Sequence, residues 1–225
     1  MAKLTWDNTG ERFYETGVKN VALYVFDNTS DVKAYKEGVA WNGVTAISES
    51  PSGAEPTALY ADDKKYLNLL SAEEFGASIE AYTYPDEFAE CDGSASLVAG
   101  VTVGQQTRSK FALAYKTTIG NDEAGNSLGY KLHIIYNCLA APSEKSYNTI
   151  NDSPEAITFS WDISTTPETF TVEGKEYSTA CITIDSRKVD KTKLETLETK
   201  LFGGTEPDSK PTLVLPNEIY TMMKK

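Results

Sequence analysis

The sequence contains few residue patterns that could support catalysis. His133 is the only histidine among 225 residues, so a Ser-His-Asp or Cys-His site would have to include it. It lies within a predicted strand, Tyr130–Asn137, and no Gly-x-Ser-x-Gly motif accompanies it. Zinc-ligand spacings and glycine-rich phosphate-binding loops are missing as well. We therefore interpret His133 as a hydrogen-bonded strand residue.

Carboxylates are the other groups that could do chemistry, because the chain has 33 of them. Adjacent pairs occur at Asp62-Asp63, Glu73-Glu74 and Asp86-Glu87. A glycosidase needs two facing carboxylates, whereas neighbouring side chains on a strand point to opposite faces. The loop Asn121–Asn126 does not fit a calcium loop, since Gly125 comes too late. The sequence therefore predicts no enzyme, no metal and no cofactor, and a glycosidase stays a minor alternative.

Composition indicates a globular protein and argues against one that coats nucleic acid. Hydrophobic residues make up 40 %, charged residues 24 %, and the net charge is −12. A protein that coats DNA or RNA needs a basic surface instead. Met1–Gly10 lacks a signal-peptide pattern, and the apolar run Val21–Phe26 is too short to cross a membrane. Cys91, Cys138 and Cys181 form no recognisable disulfide framework, so we expect buried or half-buried thiols and synthesis in a reducing cytoplasm.

Acidic residues are concentrated in one part of the chain. Residues 40–109 contain eleven acids and three bases, which gives −8 of the total −12. The simplest interpretation is a solvated acidic surface.

Strand patterns dominate the sequence and predict a mainly β fold with a minor helical part. The predicted strands alternate in polarity or are rich in β-branched and aromatic residues, and turn residues bound them. In Lys110–Ile119, for example, Phe111, Leu113 and Tyr115 fall on one side. The predicted strands are Val21–Phe26, Ala77–Tyr84, Lys110–Ile119, Tyr130–Asn137, Ile157–Ile163, Thr169–Val172 and Tyr177–Ile184.

Three segments carry helical patterns. Ser71–Phe75 has a serine three residues before a glutamate, which is a capping-box start for a short helix. Lys191–Phe202 has leucines at helical spacing and is followed by Gly203-Gly204, a typical helix end. Pro216–Met223 is predicted as a last short helix.

The remaining segments predict loops within a single domain. Gly120–Asn126 reads as a polar hairpin loop between two strong strands. Ser48–Ala58 contains two prolines and a glycine, and is predicted to be an exposed, extended loop. We expect one domain over residues 1–225, with a β-rich core at 15–185 and a C-terminal helical segment at 186–225.

A series of short blocks in a fixed order resembles a known family. The blocks are Gly38–Gly43 (GVAWNG), Ser48–Pro56 (SESPSGAEP), Leu59–Asp62, Lys65-Tyr66, Ser71–Phe75, Glu80–Phe88, Gly104–Gln106, Tyr115–Asp122 and Gly129–Lys131. In this order they resemble the major tail proteins, the tail-tube subunits of long-tailed, non-contractile phages of Gram-positive bacteria. The resemblance covers about residues 15–185.

The resemblance implies structural work in a virion. Members of that family have a β-sandwich or barrel-type fold with a flanking helix, and copies close into hexameric rings that stack into a tube. The implied partners are other copies of the chain and the tape-measure, tail-terminator and tail-tip proteins. Double-stranded DNA passes through the lumen without specific binding. Synthesis in the host cytoplasm, a place in the virion tail and no contact with a membrane follow from the same resemblance.

Two groups of residues are candidates for particular roles in such a tube. An acidic lumen would repel DNA phosphates, and Glu80 and Ser78 are predicted to face it, on the strand side opposite Ile79. Lys110 and Lys116 are predicted to share one polar strand face, which would weaken the repulsion if it lined the lumen. The predicted contact to the neighbouring ring is the loop of Ser50, Pro51, Ser52, Gly53, Ala54, Glu55 and Pro56. A surface adhesin or carbohydrate-binding β-domain is the alternative function.

Overall fold

The computed structural model describes residues 3–28, 34–150, 152, 155–206 and 209–224, and the fold is mainly β. The strands are β1 (Phe13–Asp27), β2 (Ala34–Tyr35), β3 (Val39–Ala40), β4 (Val44–Glu49), β5 (Ser52–Gly53), β6 (Pro56–Ala61), β7 (Lys64–Leu70), β8 (Glu73–Glu74), β9 (Gly76–Ala81), β10 (Ala95–Val98), β11 (Val101–Val103), β12 (Phe111–Asn121), β13 (Gly125–Ala140), β14 (Phe159–Thr165), β15 (Glu168–Val172), β16 (Lys175–Thr179) and β17 (Cys181–Asp185). The helices are α1 (Ala89–Asp92), α2 (Lys191–Phe202) and α3 (Pro216–Met223), and a single 3-10 turn spans Asp86–Phe88.

One large antiparallel sheet organises the chain in the order β2-β1-β12-β13-β14-β9-β4. The long strand β13 changes partner along its length: it pairs with β17 at Lys131–Ile135 and with β14 at Cys138–Ala140. The sheet curls, because β3 pairs back onto β1 and β4 contacts β1. The Trp41 amide, directly after β3, donates to the Val21 carbonyl of β1. We call this curled sheet the barrel.

The barrel interior is filled by the side chains that point inward, which alternate along each strand with those that point outward. Leu23 on β1 lies opposite Leu113 on β12, and both side chains are fully buried. Trp41, Phe88 and Trp161 pack against each other in mostly edge-on contacts, with ring centroids 4.5–5.6 Å apart. Such aromatic clusters contribute large buried areas as well as favourable ring geometry.

The opposite face of β1, β12 and β13 is covered by the C-terminal helices. Small side chains there, including the paired Ala22 and Ala114, leave room for α2 to approach. The α2 leucines Leu194, Leu197 and Leu201 are all buried against this face. The predicted helices over Lys191–Phe202 and Pro216–Met223 are confirmed, and the leucine side of α2 is the one that packs.

Two local predictions are wrong because pairing between distant segments overrides weak local patterns. Glu73 and Glu74 form β8, which pairs with β5 instead of starting a helix in Ser71–Phe75. A four-residue capping pattern is worth little without a following helical stretch. Most of the predicted loop Ser48–Ala58 is likewise strand, divided among β4, β5 and β6.

The predicted strand Tyr177–Ile184 is divided in two. Ala180 is buried between β16, which pairs with β15, and β17, which pairs with β13. Its carbonyl accepts from the Tyr136 amide. The chain thus leaves a surface hairpin and enters the barrel sheet at this residue.

Truncating the central leucine of α2 should destabilise the fold strongly. Leu197→Ala removes a fully buried side chain, so we expect the free energy of unfolding to fall by about 2–5 kcal/mol. Urea denaturation followed by tryptophan fluorescence measures this change. The control Lys191→Ala alters a side chain that is 90 % exposed and should change stability by less than about 0.5 kcal/mol. Equal stabilities of L197A and wild type would contradict the described packing.

Candidate functional site

A two-stranded hairpin leaves the barrel between β4 and β9. We call residues 52–74, from β5 to β8, the arm. Its root is the short β5–β8 pair, and its length is the β6–β7 hairpin. At the tip, Asp62 and Asp63 both have positive φ angles, 52° and 58°, as expected for the turn type that suits a two-residue hairpin.

The arm exposes apolar side chains that a soluble protein normally covers. Leu59 lies opposite Leu67, so both share one face of the hairpin, and Leu69 follows on that same face. Leu59 is 41 % exposed and Leu69 is 54 % exposed, while Tyr60 and Tyr66 are each 72 % exposed. An isolated two-stranded hairpin is marginally stable in water, and contiguous exposed apolar patches mark interaction sites. The arm is therefore a candidate interaction surface.

A polar cluster lies within the barrel at the end of β4, just before the chain enters the arm. Glu49, the last residue of β4, accepts a hydrogen bond of 2.6 Å from the Tyr115 hydroxyl. The Nδ1 atom of His133 lies 3.4 Å from the same carboxylate oxygen, Glu49 Oε1. The imidazole stacks on the Tyr115 ring, with centroids 4.8 Å apart and planes only 4° from parallel.

The other edge of the His133 ring meets a second carboxylate. Its Nε2 atom lies 2.9 Å from Thr117 Oγ1 and 3.5 Å from Glu15 Oε1. Lys131 Nζ lies 2.5 Å from Glu15 Oε2. The cluster thus links four barrel strands, β1, β4, β12 and β13. The prediction that His133 is a hydrogen-bonded strand residue is confirmed.

The cluster shifts the pKa values of its members in directions that fit a structural role. The hydrogen bond with His133 lowers the pKa of Glu49, against the opposing effect of burial. Burial by itself would raise the pKa of Glu15, but hydrogen bonds from Lys131 and Thr117 make the net shift downward. Burial and the Glu49 carboxylate raise the pKa of Tyr115. His133 is only 7 % exposed, so a substrate would have little access to its ring.

The predicted lumen residues share one outward face of the barrel. Ile79 and Ala81 are buried inside, so Ser78 and Glu80 on the same strand point outward. In register beside them lie Asp162 and Ser160 on β14. This face combines hydroxyls with two acids, and β4, β9 and β14 contain no lysine or arginine. Sequence reasoning found Ser78 and Glu80 but missed the two β14 residues, although their alternation with Trp161 could have identified them.

Lys116 lies on a different surface from Glu80. Its Nζ atom is 2.9 Å from Glu198 Oε2 on α2 and 4.5 Å from the centre of the Tyr130 ring. The face predicted for Lys110 and Lys116 is not polar, because Ala112 and Ala114 between them are buried under the helices. Lys116 is consequently neutralised within its own chain.

The predicted inter-ring loop lies at the root of the arm. Residues 50–56 are all exposed, and the Ser50 amide donates to the Gly76 carbonyl. The β6–β7 hairpin extends beyond these residues, and sequence reasoning did not predict it. The signal was present as two apolar and aromatic runs, Ala58–Ala61 and Tyr66–Leu70, on either side of Asp62-Asp63, a sequence that favours a tight turn.

Other potential sites give little indication of chemistry. Cys91 and Cys138 are buried and Cys181 is half-buried, as expected. Burial raises the pKa of the Cys91 thiol to about 12 and that of Cys181 to about 11. Among the described residues, no group of three or more His, Cys, Asp or Glu side chains is placed to hold a metal ion. None of the helices in the described part of the chain is long and apolar enough to cross a membrane.

Comparisons with known proteins gave matches only among solved structures. No known protein family and no curated protein matches it. Among solved structures, a chain of the six-fold symmetrised cryo-EM structure of the anti-feeding prophage baseplate is similar over 80 % of this chain and 97 % of its own length. The identity is 8 % and the TM-score is 0.36, which is too low to transfer a fold or a function.

Acid should destabilise the cluster, and His133 should influence the pH at which the Glu49 carboxylate becomes protonated. The pKa of the Glu49 carboxyl is lower in the folded chain than its ordinary value of 4.5. Its ionised form therefore stabilises the fold fully above pH 4.5, and this stabilisation is lost as the pH falls through the folded pKa. Because His133 is the main cause of the lowered Glu49 pKa, we expect Glu49 to titrate at a higher pH in H133Q. NMR titration of the Glu49 carboxyl carbon measures this shift.

The matched control is Lys191→Gln, a change on the exposed side of α2, which should leave the Glu49 titration unchanged. An unchanged Glu49 pKa in H133Q would show that the imidazole does not stabilise the carboxylate.

Proposed function

We propose that this chain is a structural subunit of a phage virion that assembles with its own copies into the tail tube. The observation that carries the proposal is the arm, whose leucines and tyrosines lie in water in the single chain. The order of the sequence blocks that resemble major tail proteins supports the same function. In this proposal the chain is not an enzyme and needs no cofactor.

The barrel offers edges through which copies can join laterally. In the sheet order, β4 is a terminal strand and hydrogen-bonds along one side to β9. Unpaired strand edges favour pairing with another chain. Lateral contacts between two different edges close into a ring, and a second contact that does not close stacks the rings into a tube. We propose a hexameric ring, as the resemblance implies, with the arm reaching the next ring.

The outward face of β9 and β14 is suited to line the lumen. DNA carries one negative charge per roughly 1.7 Å of its axis, so a basic wall would bind it and hinder its passage. Glu80 and Asp162 give this face negative charge, and Ser78 and Ser160 add small polar side chains. In the virion, the proposed partners at the two tube ends and within the lumen are the tail-tip, tail-terminator and tape-measure proteins.

Polar substitutions on the leucine face of the arm should block assembly without unfolding the chain. In the variant L59S/L67S/L69S all three changed side chains are more than a third exposed, so the thermal unfolding temperature should change little. Losing this apolar contact area should raise the concentration at which half of the protein is assembled by at least about tenfold. Sedimentation velocity across a concentration series measures this change.

The control Ile157→Ser changes a side chain with a similar exposed fraction, 37 %, outside the arm. It should assemble like wild type. Unimpaired assembly of the triple variant would contradict the proposed role of the arm, and glycan binding by a persistent monomer would favour a carbohydrate-binding domain instead.

Reversing charge on the proposed lumen face should affect DNA transit but not assembly. Glu80→Lys places a cation on an exposed strand position, where it would attract phosphates and slow their passage. We expect phage carrying E80K to form tails of normal length and to eject the genome more slowly, as measured by the release of dye-stained DNA from single virions. The control Glu176→Lys changes an exposed residue of β16. Ejection kinetics of E80K equal to those of E176K would contradict the lumen assignment.

A further inference from the structure

The turn between β3 and β4 contains an asparagine that is followed directly by glycine. Asn42-Gly43 is the only Asn-Gly pair in the sequence. An asparagine side chain can react with the main-chain nitrogen of the next residue to form a cyclic imide. A side chain on that next residue hinders the approach, and glycine has none. Asn42 is therefore intrinsically the most reactive asparagine of the chain toward this change, provided that the fold leaves it accessible.

The fold leaves both reacting groups accessible. Asn42 and Gly43 are exposed, and no hydrogen bond with a described residue engages the Asn42 side chain or the Gly43 amide. Other asparagines are held more firmly: Asn121 is only 6 % exposed, and the Asn126 side chain accepts a hydrogen bond of 2.8 Å from the Tyr14 hydroxyl. The Asn42 side chain has no comparable contact to restrain it.

The backbone of the turn requires glycine at position 43. Gly43 has a φ angle of +78°, in the left-handed region that other residues rarely adopt. A Cβ atom at this position would also lie 3.0 Å from Thr83 Cγ2. The reactive pair is thus a consequence of the backbone conformation that joins β3 to β4.

The main chain is anchored on both sides of Asn42. Before it, the Trp41 side chain is 2 % exposed, and its Nε1 atom donates a hydrogen bond of 2.9 Å to the Thr83 carbonyl. After it, the Gly43 carbonyl accepts a hydrogen bond of 2.9 Å from the Tyr82 amide. The length of main chain between these two anchors is therefore constrained.

We propose that Asn42-Gly43 is a site of spontaneous covalent modification, at which Asn42 is converted through a succinimide to aspartate and isoaspartate. The Gly43 nitrogen forms a bond to Asn42 Cγ and gives its proton to water, while the Cγ–Nδ2 bond breaks and ammonia leaves. Water then opens the ring at one of its two carbonyl carbons. Each route consumes one water and releases one ammonia, and neither needs an enzyme or a cofactor.

The two products should differ in their effect on the fold. Opening the ring at Cγ gives aspartate and leaves the main chain unchanged. Opening it at the main-chain carbonyl carbon gives isoaspartate, in which the main chain runs through Cβ and Cγ and is one carbon longer. Because the turn is anchored at Trp41 and at Gly43, the longer chain must break one of these contacts. Both products add a negative charge to the acidic part of the chain at 40–109.

Peptide mapping by mass spectrometry tests the site in the unmodified protein. Folded wild-type chain is incubated at mildly alkaline pH in water enriched in ¹⁸O, so that ring opening incorporates the label. We expect labelled aspartate and isoaspartate to accumulate at position 42 faster than at Asn68, an exposed asparagine that is followed by leucine. Asn42 that remains intact in the folded chain, or that reacts no faster than Asn68, would overturn the proposal.

The variant Asn42→Gln provides the matched control. Glutamine keeps the amide at an exposed position but would have to form a six-membered ring, which closes far more slowly. The label at position 42 should therefore be lost in N42Q, whereas the slow change at Asn68 should stay the same. Equal labelling at position 42 in N42Q and wild type would show that the label does not come from the proposed ring, and would overturn it.

Thermal unfolding of the separated products tests the effect on the turn. Anion exchange separates the more negative products from unmodified chain, and N42D serves as a pure sample of the aspartate form. N42D should unfold at the wild-type temperature, and the isoaspartate form should unfold at a lower one. An isoaspartate form as stable as N42D would contradict the constraint on the turn. The reaction needs only the single folded chain, so these results do not depend on the proposed assembly.

Discussion

The leucine face of the β6–β7 hairpin exposes apolar area, which is unfavourable for a single chain in water. A two-stranded ribbon cannot bury its own side chains, and here Leu59, Leu67 and Leu69 remain 38–54 % exposed. The exposed area adds to the free energy of the single chain and favours association. The rest of the structure is the barrel from which this ribbon projects between β4 and β9.

Two kinds of contact stabilise the barrel: apolar packing and one polar network. The aromatic interior and the helices α2 and α3 stabilise the barrel on both faces of β12 and β13. Where β4 leaves the barrel to become the arm, Glu49 is held by Tyr115 and His133 instead of by apolar contacts. These polar contacts tie the end of β4 to β12 and β13 just before the chain enters the arm.

Sequence alone predicted the elements whose stability is local or whose alternation is regular. The leucine spacing and the following Gly203-Gly204 predicted α2. The alternation around Ile79 predicted that Ser78 and Glu80 share one face. Sequence reasoning failed where partners are distant in the chain. Glu73 and Glu74 form a strand because they pair with β5. Lys116 was placed on a polar face because the sequence does not show that α2 packs against this side of β12. The arm depends on such long-range placement, which no local pattern encodes.

The most direct test of self-assembly is negative-stain electron microscopy of the purified protein across a concentration series. We expect rings at intermediate concentration and hollow tubes at high concentration. Isolated particles of monomer size at every concentration would contradict the proposal that this chain builds a tube.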